Sequence, residues 1–432
     1  MATKKIALVW FKTNLRLRDN ECLLRAVAEN DEVIPFYCLD DQLLRTTKFG
    51  FKKAGDFRLK FLRESLQQLD SDLRGVGSGL LLLKGVIEKE IFWLANKHGA
   101  QKIYAEKEVA PEELTTQKKV TDELLILNCA ISTFECRNLF HSSDLPFSIE
   151  RLPDIFTDFR KITEKTVAVR PVFPAPSVIK SPPIAALNLT LPDELNSISI
   201  SIDQRASIQF KGGEQAARQR LQYYFFQTQA LSSYKETRNG MVGERFSSKF
   251  SAWLALGCIS AKEIYREIKR YEIIYGSNES TYWLVFELLW RDYFGFCMEK
   301  NGKRYFLNSD SLSSGSMSQE HFETALTNWI NGTTGVSFID ANMKELKLTG
   351  FMSNRGRQNV ASYLCNNLRL DWRYGAAYFE QQLIDYDVCN NWGNWAYLAG
   401  VGNDPRTNRV FNINKQAATY DPDNTFQHLW LT

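Results

Sequence analysis

The chain has 432 residues, with 53 Lys+Arg against 50 Asp+Glu and 44% hydrophobic residues, enough to bury two or three domain cores. Its net charge of +3 is too small to imply a polyanion partner, so any nucleic-acid claim must rest on local arginines. No apolar run reaches the ~18 residues of a membrane span, and Ile6 to Phe11 is too short for a signal-peptide core, so the expectation is a cytoplasmic chain away from membranes.

In chain order, Ile6 to Phe11, Val33 to Tyr37, Leu80 to Leu83, Ile103 to Ala105 and Ile131 to Phe134 read as buried strands, while 55–69, 86–97 and 111–127 carry helical apolar spacing. That alternation predicts a doubly wound parallel sheet over residues 1–135. The turn after the first strand is Lys12-Thr13-Asn14, without a glycine fingerprint, and Gly75 to Gly79 precedes a strand, which makes it a loop. Six of the 12 prolines fall between Pro171 and Pro192, so 136–209 reads as an extended interdomain linker. From 210 to 432 the patterning is helical, as in Glu214 to Gln227, Ala261 to Tyr271, Tyr282 to Lys300, Asn359 to Leu368 and Ala376 to Tyr386. The fold class is therefore α/β followed by all-α.

The eight cysteines form no C-x-x-C pair and read as buried thiols, and the four histidines show no zinc spacing. Chemistry is sought instead in the helical half, where eight of the ten tryptophans lie. Ser247-Ser248-Lys249-Phe250-Ser251 offers hydroxyls, backbone N–H groups and a lysine at the mouth of a helical run, which suits a diphosphate as well as an ordinary N-cap. Glu287 and Arg291 share a helical face near Trp290. They suit an unpaired base that is hydrogen-bonded and stacked, or equally a buried ion pair. Arg355, Arg357, Asp385 and Asp387, with amides around Asn354, Asn390 and Asn391, must pair with each other or with a polar heteroaromatic ligand.

Several long motifs then coincide. Trp10-Phe-Lys-Thr-Asn-Leu-Arg16-Leu-Arg-Asp19-Asn20 resembles the opening of the photolyase/cryptochrome family. Thr349 to Gln358, Asp371 to Ala377, Trp392-Gly-Asn-Trp395 and Gly400 to Arg406 resemble its cryptochrome-DASH branch. The resemblance implies FAD in the helical half. Tyr234, Ser247, Ser248, Lys249, Phe250 and Ser251 would contact its diphosphate and ribityl region, with Arg291 and Asn354 nearby. Arg357 and Asp385 would lie over the ring, Asp387 at its polar edge and Asn391 at N5.

It also implies blue-light repair of cyclobutane pyrimidine dimers by electron transfer from reduced FAD. Glu287 would bond the flipped dimer, Trp290 would stack on it, and Arg238, Arg355 and Arg409 would contact phosphates. Gln358 and Tyr397 stand where duplex-repairing relatives carry methionine and tryptophan, which favours single-stranded DNA, with RNA as a further candidate partner. The (6-4) enzymes carry histidines at the positions of Asn354 and Gln358, so (6-4) repair is disfavoured. Trp395 and Trp372 match the first two members of an electron relay. Gln319 replaces the third, leaving Phe322 and Tyr378 as substitutes. Glu108 matches the residue that bonds a methenyltetrahydrofolate antenna, although an acidic surface loop would look the same. The resemblance further leads us to expect a monomer without a signalling tail after Trp430-Leu431. The rival reading is a blue-light photoreceptor that binds nucleic acid without repairing it.

Overall fold

The computed structural model describes residues 4–183, 187–307, 318–402 and 410–432. In the first half, β1 (Ile6–Phe11), β2 (Glu32–Asp40), β3 (Leu81–Gly85), β4 (Lys102–Glu106) and β5 (Ala130–Phe134) form one sheet in the order β3-β2-β1-β4-β5. Every pairing is parallel. The central strand IALVWF is buried along almost its whole length, as expected of a parallel strand covered by helices on both faces. The helices are α1 (Glu21–Glu29), α2 (Asp56–Gly75), α3 (Ile87–His98) and α4 (Pro111–Leu124). Helix α1 was absent from the sequence reading. Its signal is the short polar cap: the Asn20 side chain accepts from the Leu23 N–H and only nine residues follow.

Between the halves lie α5 (Phe156–Thr166) and the single turn α6 (Asp193–Asn196). The expected extended crossing is thus interrupted by a packed helix. Phe156 stacks on Trp290 with ring centroids 3.7 Å apart and 14° between the planes, an aromatic contact of about 1 kcal/mol beyond its burial.

The second half is helical: α7 (Glu214–Gln222), α8 (Tyr234–Thr237), α9 (Ser251–Ala255), α10 (Ala261–Tyr275), α11 (Glu279–Asn301), α12 (Gln319–Asn331), α13 (Ser337–Thr349), α14 (Asn354–Ser362), α15 (Trp372–Gln382), α16 (Val388–Leu398), α17 (Ile413–Tyr420) and α18 (Thr425–Leu431). Helix α11 starts at a capping box between Asn278 and Thr281 and runs through the core with apolar residues on nearly every side. The helix expected over Ala376 to Tyr386 instead starts at Trp372, capped by the Asp371 side chain, and stops at Gln382. Residues 383–387 therefore form a turn whose last member, Asp387, caps α16 by accepting from the Asn390 N–H.

The halves interlock through the segment after β1. Arg16, fully buried, donates to the carbonyls of Gly257 at 2.8 Å and Cys136 at 2.9 Å. The Leu17 N–H donates to Glu214 at 2.8 Å, and Lys262 pairs with Asp19 at 2.7 Å. All eight cysteines are buried free thiols. Among the described residues no helix is long and apolar enough to cross a membrane.

Candidate functional site

A cavity of about 440 Å³ opens between α8, the 243–251 loop, α11, α14 and the turn before α16. It gathers residues from five separate stretches of sequence: Tyr234 and Arg238; Ser247, Ser248, Lys249, Phe250 and Ser251; Glu287, Trp290 and Arg291; Asn354, Arg355, Arg357 and Gln358; Asp385, Asp387 and Tyr397. A smaller adjoining space of about 90 Å³ adds Asn391 and Trp395. Trp372 lines neither, Glu108 lies in the other half, and Arg409 is outside the described residues.

The loop at one end does not cap α9 through a side chain, since the N-cap is Phe250 and makes no side-chain cap bond. Ser247 and Lys249 both take left-handed backbone angles, φ 58° each, a conformation that costs a non-glycine residue ~1–3 kcal/mol and persists only where neighbours hold it. The holder is Arg220, which the sequence reading passed over. Its Nε donates to the Ser248 carbonyl at 3.1 Å and its Nη2 to those of Glu244 at 2.7 Å and Ser247 at 3.4 Å. Its only sequence signal was an arginine on the inward side of α7. Lys249 bonds the Gly243 carbonyl at 3.2 Å and that of Phe246. Burial, then the nearby Arg220 charge, lowers it to about 7. Behind it Glu345, another residue missed from sequence, is pushed up to about 8 by burial. A buried lysine whose charge is disfavoured by burial suits an incoming anion, which would favour the charged ammonium.

At the other end the cavity carries two arginine–aspartate pairs. Arg357 grips Asp385 with one Nη, 3.0 and 2.8 Å from the two oxygens. Asp387 is bonded by Arg137 from the end of β5 at 2.6 Å. That pair holds the Asp387 carboxyl down to about 2 in spite of burial. Arg137 is again a long-range partner with no local sequence signal. Asn391 donates through Nδ2 to the Ala376 carbonyl at 3.0 Å.

The i,i+4 pair suggested for α11 does not form. Arg291 donates to the carbonyls of Arg137 at 2.6 Å and Leu254 at 3.1 Å. Glu287 is paired instead with Arg238, 2.5 Å away, and burial raises its carboxyl above the usual range although Arg238 opposes the shift. Arg238 is therefore engaged inside the pocket through Nη1. Trp290 has one face covered by Phe156 and meets Tyr397 edge-on at 5.9 Å. Gln358 accepts from Arg355 at 2.8 Å, and the Arg355 guanidinium lies 4.3 Å over the Tyr420 ring.

The second candidate site is a cavity of about 210 Å³ at the carboxyl ends of β1, β2 and β4, where the strand order reverses direction across β1. Its walls include Trp10, Tyr37, Glu108, Glu113 and Tyr386. Glu108 pairs with Lys12 at 2.9 Å, so it faces the cavity edge instead of a solvated loop. Burial and then the Glu108 charge raise Glu113 to about 7. Aromatic walls with carboxyls that accept or share protons fit a flat heteroaromatic ring bearing N–H donors.

Comparison with known proteins places these features in context. Residues 7–177 match the DNA photolyase family, and residues 283–432 match the FAD binding domain of DNA photolyase. The chain is 48% identical over 425 residues to the cryptochrome DASH of Synechocystis sp., covering 98% of this chain and 87% of the relative. It is 44% identical to that of Danio rerio, covering 100% and 84%. The crystal structure of the Synechocystis sp. PCC6803 cryptochrome superposes with a TM-score of 0.94 at 47% identity, covering 100% of this chain and 89% of that one. An archaeal photolyase from Sulfolobus tokodaii, solved with two FAD molecules, superposes at 0.80 with 28% identity, covering 99% and 90%.

Proposed function

The chain belongs to the photolyase/cryptochrome family, in its cryptochrome-DASH branch, and on that premise we propose that it is a light-driven lyase that reverses cyclobutane pyrimidine dimers in single-stranded DNA. One observation carries the reading: Glu287, Trp290 and the Arg357–Asp385 pair line the same cavity as the Lys249 loop. In this reading a lesion platform and a dinucleotide cradle share one space.

In this reading FAD is held by Tyr234, the 247–251 loop, Arg291, Asn354, Arg357, Asp385, Asp387 and Asn391. When bound, it supplies the light-driven one-electron chemistry, and the protein supplies position, charge and exclusion of water. Lys249 regains its proton beside the diphosphate. Arg357, kept in place by Asp385, offsets negative charge on the ring. Trp395 and Trp372 supply electrons when the cofactor is oxidised. Glu287, with its raised carboxyl, donates a hydrogen bond to a carbonyl of the flipped dimer, and Trp290, which lines the same cavity, offers its indole for stacking. Gln358, tied to Arg355, puts an amide where an apolar wedge would help pull a base out of a duplex. Glu108 and Glu113 hold a methenyltetrahydrofolate antenna in the second cavity.

The test is blue-light illumination of the chemically reduced protein with an oligonucleotide containing one thymine dimer. The wild type should regenerate monomeric thymines, while Glu287→Ala should retain FAD and lose repair by about tenfold or more, the worth of one buried hydrogen bond to a charged or strongly polar group. Tight, light-dependent binding of the oligonucleotide with no reversal by the wild type would turn the assignment to a photoreceptor.

A further inference from the structure

The electron relay that this reading assigns to Trp395 and Trp372 has no tryptophan at its third position, since Gln319 carries an amide that bonds Glu323 at 2.8 Å and cannot be oxidised under these conditions. The substitutes suggested by sequence do not serve. Phe322 is no electron donor, and Tyr378 packs on Trp329 in the core, its hydroxyl without a hydrogen-bond partner among the described residues.

The packing around Trp372 shows another route. The Trp395 indole abuts α15 at Gly375, where an added Cβ would fall 2.3 Å from its ring, one turn from Trp372. Trp372 in turn meets Trp392 edge-on, with centroids 5.8 Å apart. The two indoles differ in one chemical respect. Trp372 is fully buried and its Nε1 finds no acceptor among the described residues. Trp392 Nε1 donates to Glu380 Oε2 and to the Tyr386 hydroxyl, each at 3.3 Å. Trp329, which meets Trp395 edge-on with centroids 6.2 Å apart, donates to the Val360 carbonyl at 3.1 Å, an amide oxygen that takes no proton.

We propose that Trp392 is the terminal electron donor of this chain's relay and that Glu380 is the base that takes its indole proton. One electron passes from Trp392 through Trp372 and Trp395 to the light-excited oxidised flavin, while the Nε1 proton moves to the Glu380 carboxylate. Trp392 is left as a neutral radical and Glu380 as a neutral acid, so the far end of the relay carries no buried charge. The radical cation on Trp372 could not relax in this way. Return of the electron then requires return of the proton, which gives a small thiol in solution time to reduce Trp392. Burial raises the Glu380 carboxyl above its ordinary range, with Arg58 and Lys53 opposing and Glu112 assisting, which makes its carboxylate a stronger proton acceptor. Tyr386 completes the cluster, with the Arg58 guanidinium 4.4 Å over its ring.

The inference rests on the proposed flavin relay, and the two can be separated by flash photolysis of the FAD-loaded full chain with dithiothreitol as the reductant. In the wild type the long-lived transient should be a neutral tryptophan radical. Trp392→Phe should leave a radical cation that recombines about tenfold faster or more, with a matching fall in steady-state photoreduction. Glu380→Gln, nearly unchanged in volume, should show a cation in place of the neutral radical and a similarly shortened lifetime. Both variants should keep FAD and reverse dimers normally once chemically reduced. A neutral radical of unchanged yield and lifetime in both variants overturns the inference. If Trp395→Phe also leaves the transient unchanged, the relay assignment itself falls.

Discussion

Glu287 stands at the centre of the residue-scale account because its nearest partner is a cation inside the pocket. Arg238 balances its charge, and burial opposes ionisation. A flipped base that displaces Arg238 would tip the carboxyl toward its protonated, donating form. Removing the carboxyl also leaves Arg238 without its partner, so Glu287→Ala should lose more repair than Glu287→Gln, as judged by dimer reversal at saturating light. Lys249 makes a second prediction. Burial and Arg220 lower it to about 7, with Glu345 and Glu244 as the acidic groups facing it. A bound diphosphate favours the charged ammonium and raises that value. Binding of FAD above pH 7 therefore takes up a proton. Affinity should be greatest below pH 7 and should fall as pH rises, by up to about tenfold per unit. Titration of apoprotein with FAD across pH 6 to 9 measures the slope, and Lys249→Met should flatten it.

At the scale of elements, the 243–251 loop depends on one side chain from α7. Arg220 satisfies three loop carbonyls and holds two left-handed residues in place. Arg220→Met should release the loop and weaken FAD binding by about tenfold or more, given ~1.5–3 kcal/mol for hydrogen bonds to a charged group. Isothermal titration with FAD reads this directly. Such cross-element ties were the part of the site that sequence could not show. The strands and long helices follow from local periodicity, and Ser353 capping α14 or Asp371 capping α15 is visible as a polar residue before a helical run. The grouping of Glu287, Trp290, Arg357 and Asp385 came from motif resemblance, and the structure brings all four to one cavity. By contrast, Arg137, Arg220, Glu345 and Glu380 each act on partners distant in sequence. Nothing in local spacing distinguishes them from surface charges. Helix α5 escaped notice because prolines and polar residues dominate its surroundings, and only Phe156, Phe159 and Thr163 face inward.

For the whole molecule, the seam between the sheet and the helical half is set by close backbone approach. Gly257 takes φ +64°, and a Cβ there would lie 1.8 Å from the Thr13 carbonyl oxygen just beyond β1. Gly257→Ala should cost about 3 kcal/mol or more, from overpacking and left-handed strain together, seen as a lower denaturant midpoint for the FAD-bound protein. The same architecture bears on substrate choice. Extracting a dimer from a duplex costs a few kcal/mol. With Gln358 fixed by Arg355 and Tyr397 set edge-on to Trp290, the pocket has little apolar contact to offset that cost. Single strands avoid it, so duplex repair should be weaker by roughly ten- to a hundredfold, with no (6-4) repair. The most direct test of the central claim is the initial rate of blue-light dimer reversal by the chemically reduced protein on matched single-stranded and duplex oligonucleotides. Rapid reversal confined largely to the single strand is the predicted result; absence of reversal on either strand form, with FAD bound and reduced, would contradict it.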